Sequence, residues 1–297
     1  MRIGLLAAFL MVGLMLGAMF SGCTGSENGS EAAQSEDGAG TTEAGESQTA
    51  SNGGNASGIV QAENVIFSDN FNGSAMNAAW KTADCDNEDG TKFEIKEGMM
   101  QVYAGGVDVY DGTEGYGGQI PASVKIQDYC LPMADEYGAA YITANGNFEI
   151  CVKVNSIDAA GACSKGGIMV KNDISKAAAK GQGYVILCAQ NPSAGANACL
   201  LWDSNDDGYI DSNAKTSTVA LPMWLKLVKS GTEFKGYYST DGAKWSDVAS
   251  ATLSSTGQSE NVGLFYCANS CTDNTIFWQA NHQMGFSKFS DFVVQKL

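Results

Sequence analysis

The chain has 297 residues, of which 33 are acidic and 17 basic, with one histidine and a formal net charge of −16. Such an excess of negative charge excludes nucleic acid and anionic headgroups as partners held by charge, and suits solubility and attraction of cations. Glycine is abundant and proline scarce, at 36 and 4 residues, and runs of Val, Ile, Tyr, Phe and Trp alternate with Gly, Asn and Asp turns; this predicts one large all-β domain, long enough to bury a full core.

Met1-Arg2 precedes an apolar run from Ile3 to Phe20 that ends in Ser21-Gly22-Cys23. One positive charge, an apolar stretch and small residues before a cysteine read as an export signal over residues 1–22. The Ser-Gly-Cys ending resembles the lipobox of prokaryotic lipoproteins, with Phe20 where Leu is commoner. That resemblance implies lipidation of Cys23 and an extracytoplasmic location, anchored to the cell membrane. A retained transmembrane anchor and a cleaved secretion signal are the alternatives. All three place the rest of the chain outside the membrane.

Residues 23–58 hold almost nothing apolar larger than Ala, six acids from Glu27 to Glu46 and no basic residue. Such a segment cannot bury enough apolar surface to offset its ordering entropy, so it reads as a flexible, self-repelling tether with a mean reach of about 30–35 Å. The β domain then occupies residues 59–297. Of nine cysteines, lipidation of Cys23 leaves Cys85, Cys130, Cys151, Cys163, Cys188, Cys199, Cys267 and Cys271, an even number suited to disulfides in an oxidising compartment. The pairing is open. Cys151–Cys163, Cys188–Cys199 and Cys267–Cys271 are short-range possibilities, and the rival metal cluster lacks a CxxC spacing.

Within the domain, Val65 to Phe71 predicts the first strand and Lys92 to Val102 a hairpin around Glu97-Gly98. Residues 104–145 are rich in Gly, Asp and Tyr and are either a long functional loop or extra strands. Strands follow at Phe148–Val154, Gly167–Lys171, Tyr184–Ala189, Ala198–Trp202, Val262–Ala268 and Lys288–Val294; Ser175–Lys180 is the one helix-like stretch. Met223 to Trp245 alternates apolar and polar residues on both sides of Ser230-Gly231. A two-residue Ser-Gly loop would set Leu227 opposite Phe234 and Leu225 opposite Gly236 on an apolar face, with Trp224, Lys226 and Lys235 on the other. Short strands with polar turns and no βαβ alternation favour an antiparallel sandwich.

Four segments carry a family resemblance: Phe67-Ser-Asp-Asn-Phe71 with Trp80; Gly166-Gly-Ile-Met-Val170; Trp224-Leu-Lys-Leu227 with Phe234-x-x-Tyr-Tyr-Ser239 and Asp241-Gly-x-x-Trp245; and Phe286-Ser-Lys-Phe-Ser-Asp-Phe292. In this order they resemble the concanavalin A-like (laminin G-like) lectin/glucanase superfamily, nearest its "regulation of enolase protein 1"-like domains. The resemblance spans roughly residues 65–294, is silent from 104 to 145, and implies a jelly-roll β-sandwich.

The sharpest site motif is Asp203-Ser-Asn205-Asp-Asp207-Gly208-Tyr209-Ile-Asp211. Oxygen ligands at positions 1, 3, 5 and 9, the Tyr209 carbonyl at 7 and a Gly at 6 resemble an EF-hand or dockerin loop, which implies a structural Ca²⁺. Ala214 stands where such loops place a bidentate Glu, and a polar hairpin loop is the alternative reading. The superfamily's Glu-x-Asp-x-x-Glu strand is absent from the sequence, and His282 has no Gly-x-Ser-x-Gly partner. Tyr103, Tyr110, Tyr116, Trp202 and Trp278 stand in or beside polar, Gly-rich segments, and of these Tyr110, Tyr116, Trp202 and Trp278 are the candidates for stacking on sugar rings. The expectation is a non-catalytic, membrane-anchored lipoprotein that binds a glycan or other cell-surface polymer. The rivals are an adhesion or structural module that binds protein, and a glycoside-active enzyme drawing its acids from 104–145.

Overall fold

The structure, a computed structural model, describes residues 64–297 apart from 86–89, 112–132, 162–163, 178–182, 191–194, 255, 270, 273–278 and 281–282. The signal segment, the tether and Cys23 therefore lie outside the described residues. In chain order the strands are β1 (Val65–Asp69), β2 (Lys81–Asp84), β3 (Lys92–Lys96), β4 (Met99–Ala104), β5 (Val109–Asp111) and β6 (Met133–Asp135). Next come β7 (Gly138–Asn145), β8 (Phe148–Ile157), β9 (Lys165–Lys171), β10 (Val185–Gln190), β11 (Asn197–Trp202) and β12 (Ser212–Thr218). The last are β13 (Met223–Ser230), β14 (Glu233–Ser239), β15 (Ser246–Thr252), β16 (Ser259–Cys267), β17 (Cys271–Thr272), β18 (Gln279–Ala280) and β19 (Gly285–Lys296).

Two antiparallel sheets form a jelly-roll sandwich. One has the order β15-β14-β13-β8-β19-β4-β3, with β1 also on β19; the other has the order β12-β11-β10-β9-β16-β7-β2. Alternation explains the layering. On β13, Met223, Leu225, Leu227 and Lys229 are buried while Trp224, Lys226 and Val228 are half-buried on the opposite face. Ile150, Val152 and Val154 of β8 continue the inward set, and Ile168, Val170, Leu187, Leu200, Val262 and Leu264 answer from the facing sheet. Each such fully buried side chain contributes about 1.5–3 kcal/mol through removal of apolar surface from water.

The hairpin differs from its expected register. Ser230 pairs with Glu233 around a Gly231-Thr232 loop, so Leu227 faces Gly236 and Leu225 faces Tyr238. Gly231 has φ +60°, which makes it the first loop residue, a conformation that Ser230 would adopt only with strain. The slip is two residues, so every side chain keeps its expected face. Gly236 fits closely there, since a Cβ would stand 2.9 Å from Leu187 Cδ1 of the other sheet and push that side chain aside.

The open stretch 104–145 resolves into β5, β6 and β7, with 112–132 outside the described residues. Of the expected helical stretch 175–180, residues 178–180 lie outside the described residues, and 174–177 form a turn where the Asp173 carboxylate accepts from Ser175 N and Oγ. A second apolar cluster, including Tyr137, Met169, Tyr184, Ile186 and Phe265, covers the outer face of the β9–β10 sheet. Two lysines of β9 pin that cover: Lys165 pairs with Asp108 at 2.5 Å, and Lys171 pairs with Asp135, which also accepts from Tyr184 Oη at 2.5 Å. On the other sheet the outward residues Glu149, Cys151, Trp224 and Lys226 are half-buried.

Cys85, Cys151, Cys188, Cys199 and Cys267 are free thiols in this structure, while Cys130 and Cys163 lie outside the described residues. Cys188 and Cys199 do lie directly opposite each other on β10 and β11.

Candidate functional site

A cleft of about 1220 Å³ opens on the exposed face of the β13–β8–β19–β1 region. It is larger than a typical small-molecule pocket and suits an extended oligomer. Strand register builds it in rows. Trp224, Lys153 and Ser290 share one row across β13, β8 and β19; Lys226, Cys151 and Val293 share the next; Val228, Glu149 and Gln295 the third. At β19 the pairing breaks: residues 285–289 pair with β4, then a bulge follows Ser290, and from Phe292 onward the strand pairs with β1. Asp291 occupies that bulge at φ +57°, exposed and lining the cleft. A bulge turns its residue out of the regular pleat.

Two indoles form the apolar part of the wall. Trp224 comes from β13, and the tight turn after β14 packs on it, since a Cβ on Gly242 would stand 2.9 Å from the indole nitrogen. Asp241 organises that turn, accepting from Ala243 N and Lys244 N at 2.8 Å, and these N–H donors hold its carboxyl below the usual range. The turn delivers Trp245 beside Lys226, whose Nζ lies 4.5 Å from the Trp245 ring centroid and 5.1 Å from that of Tyr237. Lys226 also meets Glu149 at 3.8 Å, and Glu149 accepts from Gln295 Nε2 at 3.2 Å.

Polar groups complete the wall. Asn70, Asn72 and Asn77 come from the segment after β1, and Glu97 comes from the β3–β4 turn. Asp69 also lines it, although both of its oxygens are engaged: Oδ1 accepts from Phe71 N at 2.8 Å and Oδ2 from Trp80 Nε1 at 2.9 Å. The cleft therefore offers two indole faces, amides that donate and accept, and four carboxylates against one lysine. The two acids that burial pushes up, Asp203 to about 6 and Glu260 to about 7, lie away from it.

The sequence-predicted site residues fall elsewhere. Trp202 is half-buried against the main core, away from the cleft. Tyr103 lies on the exposed face, 5.4 Å from the Phe286 ring, and donates to Gln101 Oε1 at 2.7 Å. Tyr110 lies in β5 with its side chain outside the described set, and Tyr116, Trp278 and His282 lie outside the described residues. Trp224 and Trp245, which line the cleft, are not among the residues that the sequence marks for stacking on sugar rings. Their signal was present in the polar-face alternation of β13 and in the Asp-Gly turn.

The 203–211 loop is knit to itself. Asp203 Oδ1 and Oδ2 accept from Asp207 N at 3.3 Å and Gly208 N at 2.8 Å. Asn205 Oδ1 accepts from Asp207 N at 3.0 Å, and Asp207 Oδ1 from Tyr209 N at 3.0 Å. Asp211 turns to Ser204, accepting from its N and Oγ. Among the described residues no three His, Cys, Asp or Glu side chains gather closely enough to hold a metal ion. In this arrangement the loop's oxygens accept from its own N–H groups.

No family model matches the chain, and no curated protein matches it. Among solved structures it is similar to a protein of unknown function from Saccharomyces cerevisiae, with a TM-score of 0.52 and 15% identity over 74% of this chain and 97% of that one. It is also similar to the GH43 BlXynB protein from Bacillus licheniformis, with a TM-score of 0.51 and 13% identity over 80% of this chain. The chain spans 40% of the Bacillus protein's length. At these identities the likeness is one of fold. Fold and site together define an antiparallel jelly-roll β-sandwich with a cleft on the outer face of one sheet.

Proposed function

We propose that this chain is a non-catalytic glycan-binding protein, tethered outside the cell membrane through Cys23, and that the cleft beside Trp224 and Trp245 holds a neutral glycan. The observation that carries the reading is the cleft wall itself: two indoles set among carboxylates and amides, on the outer face of the β13–β8–β19 sheet. Sugar rings present apolar C–H faces to indoles and hydroxyl edges to such acceptors and donors. Asp69, Glu97, Glu149 and Asp291 outnumber Lys226, which is itself paired, so a polyanionic glycan meets like charge there.

Binding without cleavage is supported by how two of the four cleft acids are employed. Glycoside hydrolysis uses two opposed carboxyls, one held protonated. Glu149 is tied to Lys226 and Gln295, and Asp69 to Trp80 and Phe71. The nearer kinship to the "regulation of enolase protein 1"-like domains is part of the same proposal, resting on the four motif segments. Titration calorimetry against neutral and uronic polysaccharides tests it. Heat with a neutral glycan that falls at least tenfold in affinity in Trp224→Ala and Trp245→Ala is expected, with no shortened products. Absence of binding across the panel overturns it, as does release of reducing ends.

A calcium ion at Asp203, Asn205, Asp207, the Tyr209 carbonyl and Asp211 is proposed separately, on the spacing of oxygens around Gly208. It predicts a site weakened by the missing position-12 Glu, toward the roughly 10⁻⁴–10⁻³ M range of extracellular modules. Millimolar calcium should raise the melting temperature, magnesium less, and Asp207→Ala should remove the difference. Equal melts with and without calcium would leave the loop as a polar turn.

A further inference from the structure

We propose that Cys188 and Cys199 close into a cross-strand disulfide when the chain folds in an oxidising compartment. The two are Cα partners in the β10–β11 ladder, and both side chains belong to the apolar cluster on the outer face of their sheet. Directly opposed residues of an antiparallel pair have Cα atoms about 4.5 or 5.5 Å apart, depending on the hydrogen-bonding class of the site. Both values fall within the roughly 4.4–6.8 Å that a disulfide spans. The bond therefore needs side-chain rotation rather than backbone movement.

The chemistry is ordinary thiol–disulfide exchange. The thiolate of one cysteine attacks one sulfur of an external disulfide, such as oxidised glutathione, and expels the first thiolate. The other cysteine then loses its proton to that thiolate or to solvent and attacks the first cysteine's sulfur in the mixed disulfide, expelling the second. Two protein thiols become one S–S bond and the oxidant becomes two thiols, so atoms and electrons balance. Cys199 and Cys188 are 1% and 0% exposed in the folded chain. Closure consequently belongs to folding, before the outer cluster covers the pair, and the finished bond is shielded from reductants.

The sequence supplies a clean readout. No Lys or Arg stands between Gly181 and Ala214, so trypsin releases both cysteines on the single peptide Gly181–Lys215. The full chain is refolded from its reduced, denatured state in mixed reduced and oxidised glutathione, blocked with iodoacetamide under denaturing conditions and digested without reduction. The expected peptide is lighter by two hydrogens and carries no carboxamidomethyl group. A doubly alkylated peptide, or either cysteine joined to a different one, overturns the proposal. A phosphine reductant should then lower the melting temperature of the refolded wild type further than that of Cys199→Ala. Equal falls would overturn it too, and if the variant fails to fold the wild-type peptide mass decides alone.

Discussion

Trp80 donates its indole N–H to Asp69 Oδ2 at 2.9 Å, while the other oxygen of the same carboxylate accepts the N–H of Phe71. One carboxylate thus ends β1, fixes the left-handed Phe71 at φ +57° and orients a buried indole. The indole packs edge-on to Phe67 at 5.1 Å and against Phe292 of β19 at 4.9 Å. The opening motif Phe67-x-Asp69-x-Phe71 and the closing Phe292 are therefore one structural knot that joins the ends of the domain. Trp80→Phe keeps the ring stack but strips a donor from a charged acceptor. It should lower stability by about 1.5–3 kcal/mol in denaturant melts. A loss under about 0.5 kcal/mol would show that Asp69 is satisfied without the indole.

The β13–β14 hairpin tests which face is core. Leu227 is fully buried, so Leu227→Ala should cost about 2–5 kcal/mol. Lys226, on the other face, contributes a long 3.8 Å ion pair and ring contacts, and Lys226→Ala should cost under about 1 kcal/mol. Equal costs in chemical melts would mean that the two faces are interchanged.

Lys171 and Asp135 are both buried, and Lys171 Nζ also lies 4.4 Å over the Tyr184 ring. Removing one partner leaves a charge in a low-dielectric site. Lys171→Met should therefore cost about 3–5 kcal/mol, whereas pairing it with Asp135→Leu should recover much of that loss. A double variant no more stable than the single one would contradict this, by showing that the ion pair supplies more than mutual neutralisation.

Face assignment was legible because its signal is local: period-two alternation in MWLKLVK places Leu225 and Leu227 inward whatever the partner strand. Pairing was less so, because a slip of two residues preserves every face, and only the backbone of Gly231 decides between the two registers. β7 was hidden for a different reason. Gly138–Ile142 is buried throughout, so the sequence there shows small and apolar residues without alternation. The cleft was hidden by topology. Its wall joins Asp69 near the domain's start, Glu149 and Trp224 from its middle, and Asp291 at its end, brought together by the β1–β19–β8–β13 ladder. No spacing rule along the chain connects those positions.

Glu260 offers a prediction in pH. It points from β16 into the end of the sandwich, 1% exposed; its Oε1 accepts from Gly257 N at 2.7 Å, and its buried Oε2 has no hydrogen-bond partner. Gly183 permits this close packing, because a Cβ there would stand 2.5 Å from Oε1. Lys229, buried on the facing β13, is the neighbouring cation, but it donates to Gly146 O at 3.3 Å and makes no ion pair with Glu260. Burial raises the Glu260 carboxyl from 4.5 to about 7, with the Gly257 N–H and Lys229 opposing that rise. Between those two values the folded chain holds a proton that the unfolded chain has released. The stabilisation this proton brings is complete below pH 4.5 and is lost as the pH rises through 7. Burial also raises Asp203, from 3.8 to about 6, which adds to the same direction over a lower window. Stability should therefore increase as the pH is lowered from 8 toward 5, with a slope that Glu260→Gln reduces and Asp203→Asn reduces at the acid end. Melting temperatures read at half-unit pH steps across that range would check it. A wild-type curve that falls on acidification, or one that Glu260→Gln leaves unchanged, would show that this carboxylate is ionised and satisfied in the folded chain.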